Sequence, residues 1–242
     1  MVKLTPELIV QSPSFINPIK ERELDLRGHK IPAIENLGVT KDQNDTIDLT
    51  DNSIAALANL PLLKRLRTLL LANNRIITIS PSLHLSAPNL TTIILTNNTI
   101  TELGDLEPLR ELRSLQYLSL LGNPVRERKY YREWIVWRLK SLRVLDFQRI
   151  RDKERTTAKS LFLTQDDLPT ALATTIQNTV TSGAAKPPVS IDEPKPAGSG
   201  RAGRLMTAEE KERVKAAIAN ATSVEEVNRL ERSLKEGWMP NA

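Results

Sequence analysis

Apolar positions recur along the first half of the chain in a frame of fixed spacing. Two leucine or isoleucine residues alternate with a variable residue, and an asparagine and a further apolar residue follow at constant offsets. Five copies of this frame, L-x-L-x-x-N-x-I, begin at Leu24, Ile47, Leu69, Ile93 and Leu118. Their asparagine positions are 29 (a histidine here), 52, 74, 98 and 123, so the repeat is 22–25 residues long. This period is typical of leucine-rich repeats.

Each repeat predicts a short strand, a turn and a segment on the convex side. The alternating L-x-L buries two residues and turns the residue between them to the opposite face. The asparagine is expected to be buried and to satisfy backbone groups where the chain leaves the strand. His29 is interpreted as a modified first position of this ladder, with a catalytic or metal-binding role as the alternative. Apolar residues at every third position over 54–69 and 100–118 favour a 3₁₀ or short α segment.

The fold class predicted from this pattern is an α/β repeat, a short leucine-rich-repeat solenoid with two caps and a tethered helical tail. A generic amphipathic helical protein would need a period of 3.6 throughout and would leave the asparagines unexplained. The predicted regions are an N-terminal cap (1–20), five repeats (21–125), a C-terminal cap with a basic helix (126–164), a flexible linker (165–203) and a helical docking tail (204–242).

The two caps have different signatures. Thr5 and Pro6 predict the start of a short apolar helix that covers the first repeat. The aromatic segment 130–147 predicts an amphipathic helix and a last strand that cover the fifth repeat. Stacking of Trp134 and Trp137 on nucleic-acid bases is the alternative for this segment. In the tail, Thr207 and Ser223 each open a capping box, which favours two short helices that dock on a larger assembly over a packed or idle tail.

The charge of the chain is concentrated in one stretch. The formal net charge is +5, but residues 126–155 alone hold eleven Lys and Arg against five Asp and Glu. Such a basic stretch is a candidate for contact with the phosphates of a nucleic acid. The predicted RNA-proximal residues in it are Arg149, Arg151, Lys153 and Arg155. A solvated helix face is the alternative interpretation of the same residues.

Several function classes are excluded or disfavoured by what the sequence contains. There is no cysteine, so disulfides and thiolate metal sites are excluded. Neither a leader pattern nor an apolar run long enough to cross a membrane is visible, so no membrane association is expected. No phosphate-binding loop, metalloprotease or nucleophile-elbow motif occurs. We therefore expect neither an enzyme nor a resident cofactor or metal.

The residues that face outward from the five strands predict a protein-binding surface. The first two strands present acidic and hydroxyl groups, whereas the last three present apolar side chains, and a contiguous apolar patch marks an interface. An amphipathic partner helix fits such a groove, with basic residues towards Asp25 and Asp48. The predicted partner-binding residues are Glu23, Asp25, Arg27, Asp48, Leu70, Ile94, Tyr117 and Leu121.

Beyond leucine spacing, specific strings resemble one family, the A-prime protein of the U2 small nuclear ribonucleoprotein. They include residues 1–5 (MVKLT), 22–28 (RELDLRG), 94–98 (ILTNN), 143–148 (RVLDFQ) and, in the tail, 216–221 (AAIANA). The resemblance covers about residues 1–155 and 205–240. It implies a nuclear, structural subunit of the spliceosome that pairs with the RRM-containing B-double-prime protein. In that family the concave face holds a helix of the partner, and the pair binds a stem-loop of U2 snRNA.

Two other functions are compatible with the repeat spacing. One is a leucine-rich-repeat subunit that targets a protein phosphatase, which would lack the strings at 22–28 and 143–148. The other is a cytoskeletal or chaperone adaptor. The resemblance further implies that the tail contacts other spliceosomal proteins.

Overall fold

The five repeat strands pair in parallel and form the centre of one sheet. The computed structural model describes residues 2–164 and 166–181. The sheet has eight strands in the order β1-β2-β3-β5-β7-β8-β9-β10, antiparallel only at its two edges. The strands are β1 (Ser14–Ile16), β2 (Arg22–Asp25), β3 (Thr46–Asp48), β4 (Ala56–Leu57), β5 (Thr68–Leu70), β6 (Thr78–Ile79), β7 (Thr92–Ile94), β8 (Tyr117–Ser119), β9 (Val144–Leu145) and β10 (Gln148–Arg149).

The convex side is built differently in different repeats. The α-helices are α1 (Pro6–Gln11), α2 (Leu83–Ser86), α3 (Tyr131–Arg138), α4 (Asp152–Phe162) and α5 (Ala171–Gln177), and the 3₁₀ helices are Leu37–Thr40, Leu103–Glu111 and Pro124–Glu127. The 3₁₀ prediction is confirmed for 100–118. It is wrong for 54–69, where β4 instead pairs with β6 in a second sheet. Asn59 has a left-handed φ of 59° and Pro61 lacks an amide hydrogen, so that segment cannot continue as a helix.

The predicted asparagine ladder is present and fully bonded. Asn98 donates to the carbonyls of Leu71 (2.9 Å) and Leu95 (3.0 Å), and its Oδ1 accepts from the Ile76 amide (2.9 Å). The same pattern repeats at the other buried asparagines of the frame, Asn52, Asn74 and Asn123.

His29 does not take part in this ladder. Within the described residues its side chain makes no hydrogen bond, and the Leu26 carbonyl is reached from the next repeat by Asn52 (2.9 Å). The first repeat has no predecessor, so a side chain at position 29 has no earlier repeat to bond to.

A second polar ladder runs beside the first, at the surface. Its residues all have positive φ and occupy the position before the ladder asparagine: Gly28, Asp51, Asn73, Asn97 and Gly122. Asn97 donates to the Asn73 side chain (2.8 Å), which donates to Asp51 (2.7 Å). A Cβ at Gly122 would overlap the Asn97 amide. Asparagine, aspartate and glycine are the residues that tolerate this left-handed conformation.

The N-terminal cap adds both a helix and a strand. Thr5 caps α1 as predicted, since its hydroxyl accepts from the Leu8 amide (3.3 Å). Ile9 of α1 is buried against the first repeat. The strand β1 was not predicted from the sequence, and it covers the otherwise open edge of β2.

The C-terminal cap closes the other end with aromatic packing, as predicted. Trp134 is 1% exposed and its ring lies 5.2 Å from both Trp137 and Phe162. Asp146 replaces the missing sixth repeat: it accepts from the Leu120 amide (2.7 Å) and from the Tyr131 hydroxyl (2.7 Å). Burial, with the Asp146 charge beside it, raises the pKa of Tyr131.

The first part of the predicted linker, 165–203, contains a packed helix. Helix α5 and the residues after it pack on the convex side, with Ala173 and Ile176 buried. Thr181 bonds to both carboxylate oxygens of Asp105, through its amide (3.1 Å) and its hydroxyl (2.5 Å). The threonine and alanine content of the predicted linker favoured an extended chain. The apolar spacing within 171–176, however, is that of a helix. Residues 182–242, with the rest of the predicted linker and the whole tail, lie outside the described residues.

Candidate functional site

Strand register determines which side chains share a row on the concave face. Register partners on neighbouring strands point to the same face. The row at the starts of the strands comprises Phe15, Glu23, Thr46, Thr68, Thr92, Tyr117, Val144 and Arg149. The next row comprises Asp25, Asp48, Leu70, Ile94 and Ser119. We call the part over β2 and β3 the acidic half of the groove and the part over β5, β7 and β8 the apolar half.

In the acidic half, Arg27 joins the two predicted carboxylates. Its Nε donates to Asp25 (2.9 Å), its terminal nitrogen lies 2.6 Å from the other Asp25 oxygen, and Asp48 is 3.5 Å away. The hydrogen bond from Arg27 holds the pKa of Asp25 below its usual value. The predicted basic partner residues would therefore meet carboxylates that already share one cation.

Two further residues of the acidic half escaped the sequence prediction. Glu21 accepts from the hydroxyls of Thr46 (2.7 Å) and Thr68 (3.3 Å), so its carboxylate lies over the groove. Asn17 donates to Glu23 (3.0 Å). Extending the strand alternation back by two positions, from Glu23 to Glu21, would have found the first of these.

In the apolar half, Leu70 and Ile94 are register partners and both remain half-buried. Tyr117 is 45% exposed, but its partner is Thr92, so it lies diagonally to Ile94. The residue beside Ile94 is Ser119, which is 1% exposed and bonds to Thr96 (2.9 Å). The apolar residues predicted to form one patch therefore occupy two rows, Leu70 and Ile94 in one and Tyr117 in the other.

The edges of the groove hold one predicted residue, Leu121, and two that were not predicted, Phe15 and Val144. Leu121, which was predicted, is half-buried and follows β8, where its carbonyl accepts from the Asn97 amide (2.7 Å). Phe15, 42% exposed, begins the first row because β1 pairs with β2. Val144 extends the apolar half onto β9 beside Tyr117.

Three of the four predicted RNA-proximal residues come together. Arg149, Arg151 and Lys153 are exposed and line one open cavity of about 950 Å³. Arg149 also ends the first row of the groove, two strands beyond Tyr117. Arg155 is separate from them: it is half-buried and donates to the Leu142 carbonyl.

Much of the remaining basic stretch is neutralised within the chain. Arg128 pairs with Glu102, Arg132 with Glu154 and Arg138 with Glu107. Arg126 lies 3.9 Å from Asp146. Because these cations have partners, the local excess of charge overstates the surface that is open to phosphate.

Residues 2–164 and 166–181 give no indication of a metal site or of a membrane-spanning helix. No group of three histidine, aspartate or glutamate side chains there could hold a metal ion. In the same part of the chain, no helix has the length and apolar character needed to cross a membrane.

Comparison with known proteins agrees with this geometry. A family model described as leucine-rich repeat matches residues 1–174. The U2 small nuclear ribonucleoprotein A′ of Mycosarcoma maydis is 50% identical over 98% of each chain. The protein of that name from Schizosaccharomyces pombe is 44% identical over 99% of this chain and 100% of its own. The chain belongs to the U2 small nuclear ribonucleoprotein A′ family. As a member of this A′ family it is a leucine-rich-repeat, structural subunit of the U2 ribonucleoprotein in splicing, and it is not an enzyme.

A solved structure supports the same assignment. It is the crystal structure of the Drosophila melanogaster SNF/U2A′ complex, which matches with a TM-score of 0.67 and 56% identity over 69% of this chain and 96% of that chain. The A′ family assignment disfavours the phosphatase-targeting and adaptor alternatives, and no other observation supports either of them.

Proposed function

We propose that this chain is a nuclear, structural subunit of the U2 ribonucleoprotein that holds a protein partner during pre-mRNA splicing. Its concave groove holds a helix of an RRM-containing partner, the B-double-prime protein, and the pair binds a stem-loop of U2 snRNA. The observation that carries the proposal is the apolar half of the groove, which leaves Leu70, Ile94 and Tyr117 in contact with solvent. The Drosophila melanogaster SNF/U2A′ structure, a complex of a relative with another protein, supports it.

A helix fits the groove for reasons of shape and charge. An α-helix is about 10 Å wide and presents an apolar ridge that can cover the apolar half. Burying an exposed side chain of this size contributes about 1.5–3 kcal/mol when burial is complete. The acidic half holds four carboxylates, Glu21, Glu23, Asp25 and Asp48, against Arg27, so it favours the basic side chains or the positive N-terminal end of the helix.

RNA is assigned to the edge of the groove. Phosphate would be repelled by the acidic half, whereas Arg149, Arg151 and Lys153 form an exposed cationic surface. Arg149 stands at the groove edge, so a partner held on Ile94 and Tyr117 would bring its RNA next to this surface. Contacts of the 204–242 tail with other spliceosomal proteins remain part of this proposal.

Copurification tests the proposal. The tagged chain should recover the RRM protein and U2 snRNA, and Ile94→Asp with Tyr117→Asp should lose both. The matched control is Leu62→Asp with Leu85→Asp, two exposed apolar residues outside the groove. Recovery of a phosphatase catalytic subunit without snRNA would contradict the proposal.

A second experiment addresses the RNA surface alone. Reversing Arg149, Arg151 and Lys153 to Glu should weaken RNA binding by the assembled pair mainly at low salt, because each lost phosphate contact lowers the salt dependence. Reversal of Lys64, Arg67 and Arg75, which are exposed elsewhere, is the matched control. A loss that is independent of salt would indicate misfolding and count against this surface.

A further inference from the structure

The C-terminal cap contains a second cavity, of about 680 Å³, which lies outside the groove and shares only Val136 with the cavity at Arg149. It opens beside α3 and α4. Five cations surround it, Arg110, Arg138, Lys140, Arg155 and Lys159, with one carboxylate, Asp167. Two of these cations, Arg110 and Lys159, lie outside the stretch where the sequence concentrates its positive charge.

The charge of this cavity is only partly neutralised by the chain itself. Arg138 pairs with Glu107, and Lys159 lies 3.0 Å from Asp167 in an exposed pair that stabilises little. Among the described residues, Arg110 and Lys140 have no carboxylate within ion-pair distance. The excess here is three positive charges, whereas the cavity at Arg149 has four cations against three carboxylates.

Part of the cavity lining is apolar, and the one aromatic ring in it already packs against other side chains. Trp137, Leu163 and Pro169 belong to this apolar part. One face of the Trp137 ring packs on Phe162, 5.1 Å away between ring centres, and the Arg138 guanidinium lies 4.8 Å from its centre. A base that stacks on Trp137 would compete with these contacts, and a phosphate backbone has no apolar group to place on Leu163 and Pro169.

We propose that this cavity is a docking site for an acidic protein segment that carries an apolar side chain. The apolar side chain lies on the apolar part of the lining, and the flanking carboxylates lie near Arg110, Lys140 and Arg155. Charge complementarity around an apolar centre is the usual arrangement of such interfaces. The site shares no residue with the proposed groove, so a segment bound here leaves the groove open to its helix.

The test uses the full chain and a synthetic peptide in which one leucine is flanked by glutamates. The readout is the indole N–H signals of the tryptophans in a nitrogen-15 NMR spectrum. Added peptide should shift the signal of Trp137, which lines the cavity, and leave that of Trp134, which is buried, in place. A peptide with serine in place of leucine should bind several-fold more weakly.

Charge-reversal variants localise the effect. Arg110→Glu with Lys140→Glu should weaken the peptide by about tenfold, since two charge contacts become repulsive. Lys64→Glu with Arg75→Glu, which changes the net charge equally, should alter it less than about twofold. An unchanged Trp134 signal shows that each variant is folded.

Three results would overturn the proposal: no shift of Trp137 at saturating peptide, equal weakening by the control pair, or a uridine oligonucleotide that shifts Trp137 at lower concentration than the peptide. None of them bears on the groove, whose partner is measured separately.

Discussion

The acidic and apolar halves of the groove stand on the same sheet but differ in how their side chains are satisfied. In the acidic half every predicted charge has a partner within the chain: Asp25 and Asp48 share Arg27, and Asn17 donates to Glu23. In the apolar half, Leu70, Ile94 and Tyr117 have no such compensation, because only another apolar surface can remove them from water.

This difference assigns separate roles to the two halves. Charged groups that are already paired gain little from a partner, so the acidic half sets orientation and rejects phosphate. Exposed apolar area gains most when it is covered, so the apolar half should supply most of the affinity. We expect the two halves to differ in their surface residues and to share the same underlying repeat framework. The following variants test this expectation.

The largest expected effect comes from the ladder beneath both halves. Asn98→Ala removes the donor to two buried carbonyls and the acceptor of the Ile76 amide, and it should lower the free energy of unfolding by about 3 kcal/mol. Asn52→Ala should cost a similar amount under the acidic half. Urea unfolding measures both. A cost for Asn52→Ala far below that for Asn98→Ala would show that the frames themselves differ.

The neighbouring surface ladder supplies the control. Asn97→Gly keeps the left-handed φ and removes one exposed hydrogen bond, so it should cost less than about 1 kcal/mol.

A substitution on the convex side, behind the apolar half, should have an intermediate effect on stability. Gly104 lies against the Thr179 carbonyl so closely that any Cβ would overlap it. Gly104→Ala should displace residues 170–181, with a loss of about 2 kcal/mol and faster proteolysis there. Gly38→Ala, where the space is open and φ is not positive, is the control. Unchanged protection of the segment would mean that it does not depend on this contact.

The smallest effect concerns the charge pair of the acidic half. The folded pKa of Asp25 is lowered, so its contribution to stability is present above the unfolded value near 3.8 and is lost as the pH falls through the folded pKa. Arg27→Ala removes the cause, so it should cost under about 1 kcal/mol at neutral pH and less in acid. Thermal unfolding across the acidic range measures this. A cost that grows as the pH falls would contradict the assigned pair.

Sequence periodicity was sufficient for the parts of the fold that repeat. The strands at Leu24, Ile47, Leu69, Ile93 and Leu118 and the asparagine ladder follow from it, because each repeat satisfies its neighbour in the same way. The outward positions also follow, since alternation within a strand fixes the face.

Features that occur once were harder to predict. Strand β1 exists because the edge of β2 must be covered, and neither its pairing nor the position of Phe15 is encoded in a repeat. The contact of Thr181 with Asp105 joins positions 76 residues apart in the chain, for which composition gives no signal. The neutralisation of Arg128, Arg132 and Arg138 likewise depends on carboxylates brought close only by the fold.

The most direct test of the central claim compares the two halves in one binding assay. Calorimetry would measure the affinity of the RRM partner for Ile94→Asp and for Asp25→Asn, with Leu62→Asp as the control outside the groove. The account predicts a loss of at least about a hundredfold for Ile94→Asp, because an unpaired carboxylate is buried in an apolar contact, and less than about tenfold for Asp25→Asn. Equal losses, or a larger loss for Asp25→Asn, would contradict it.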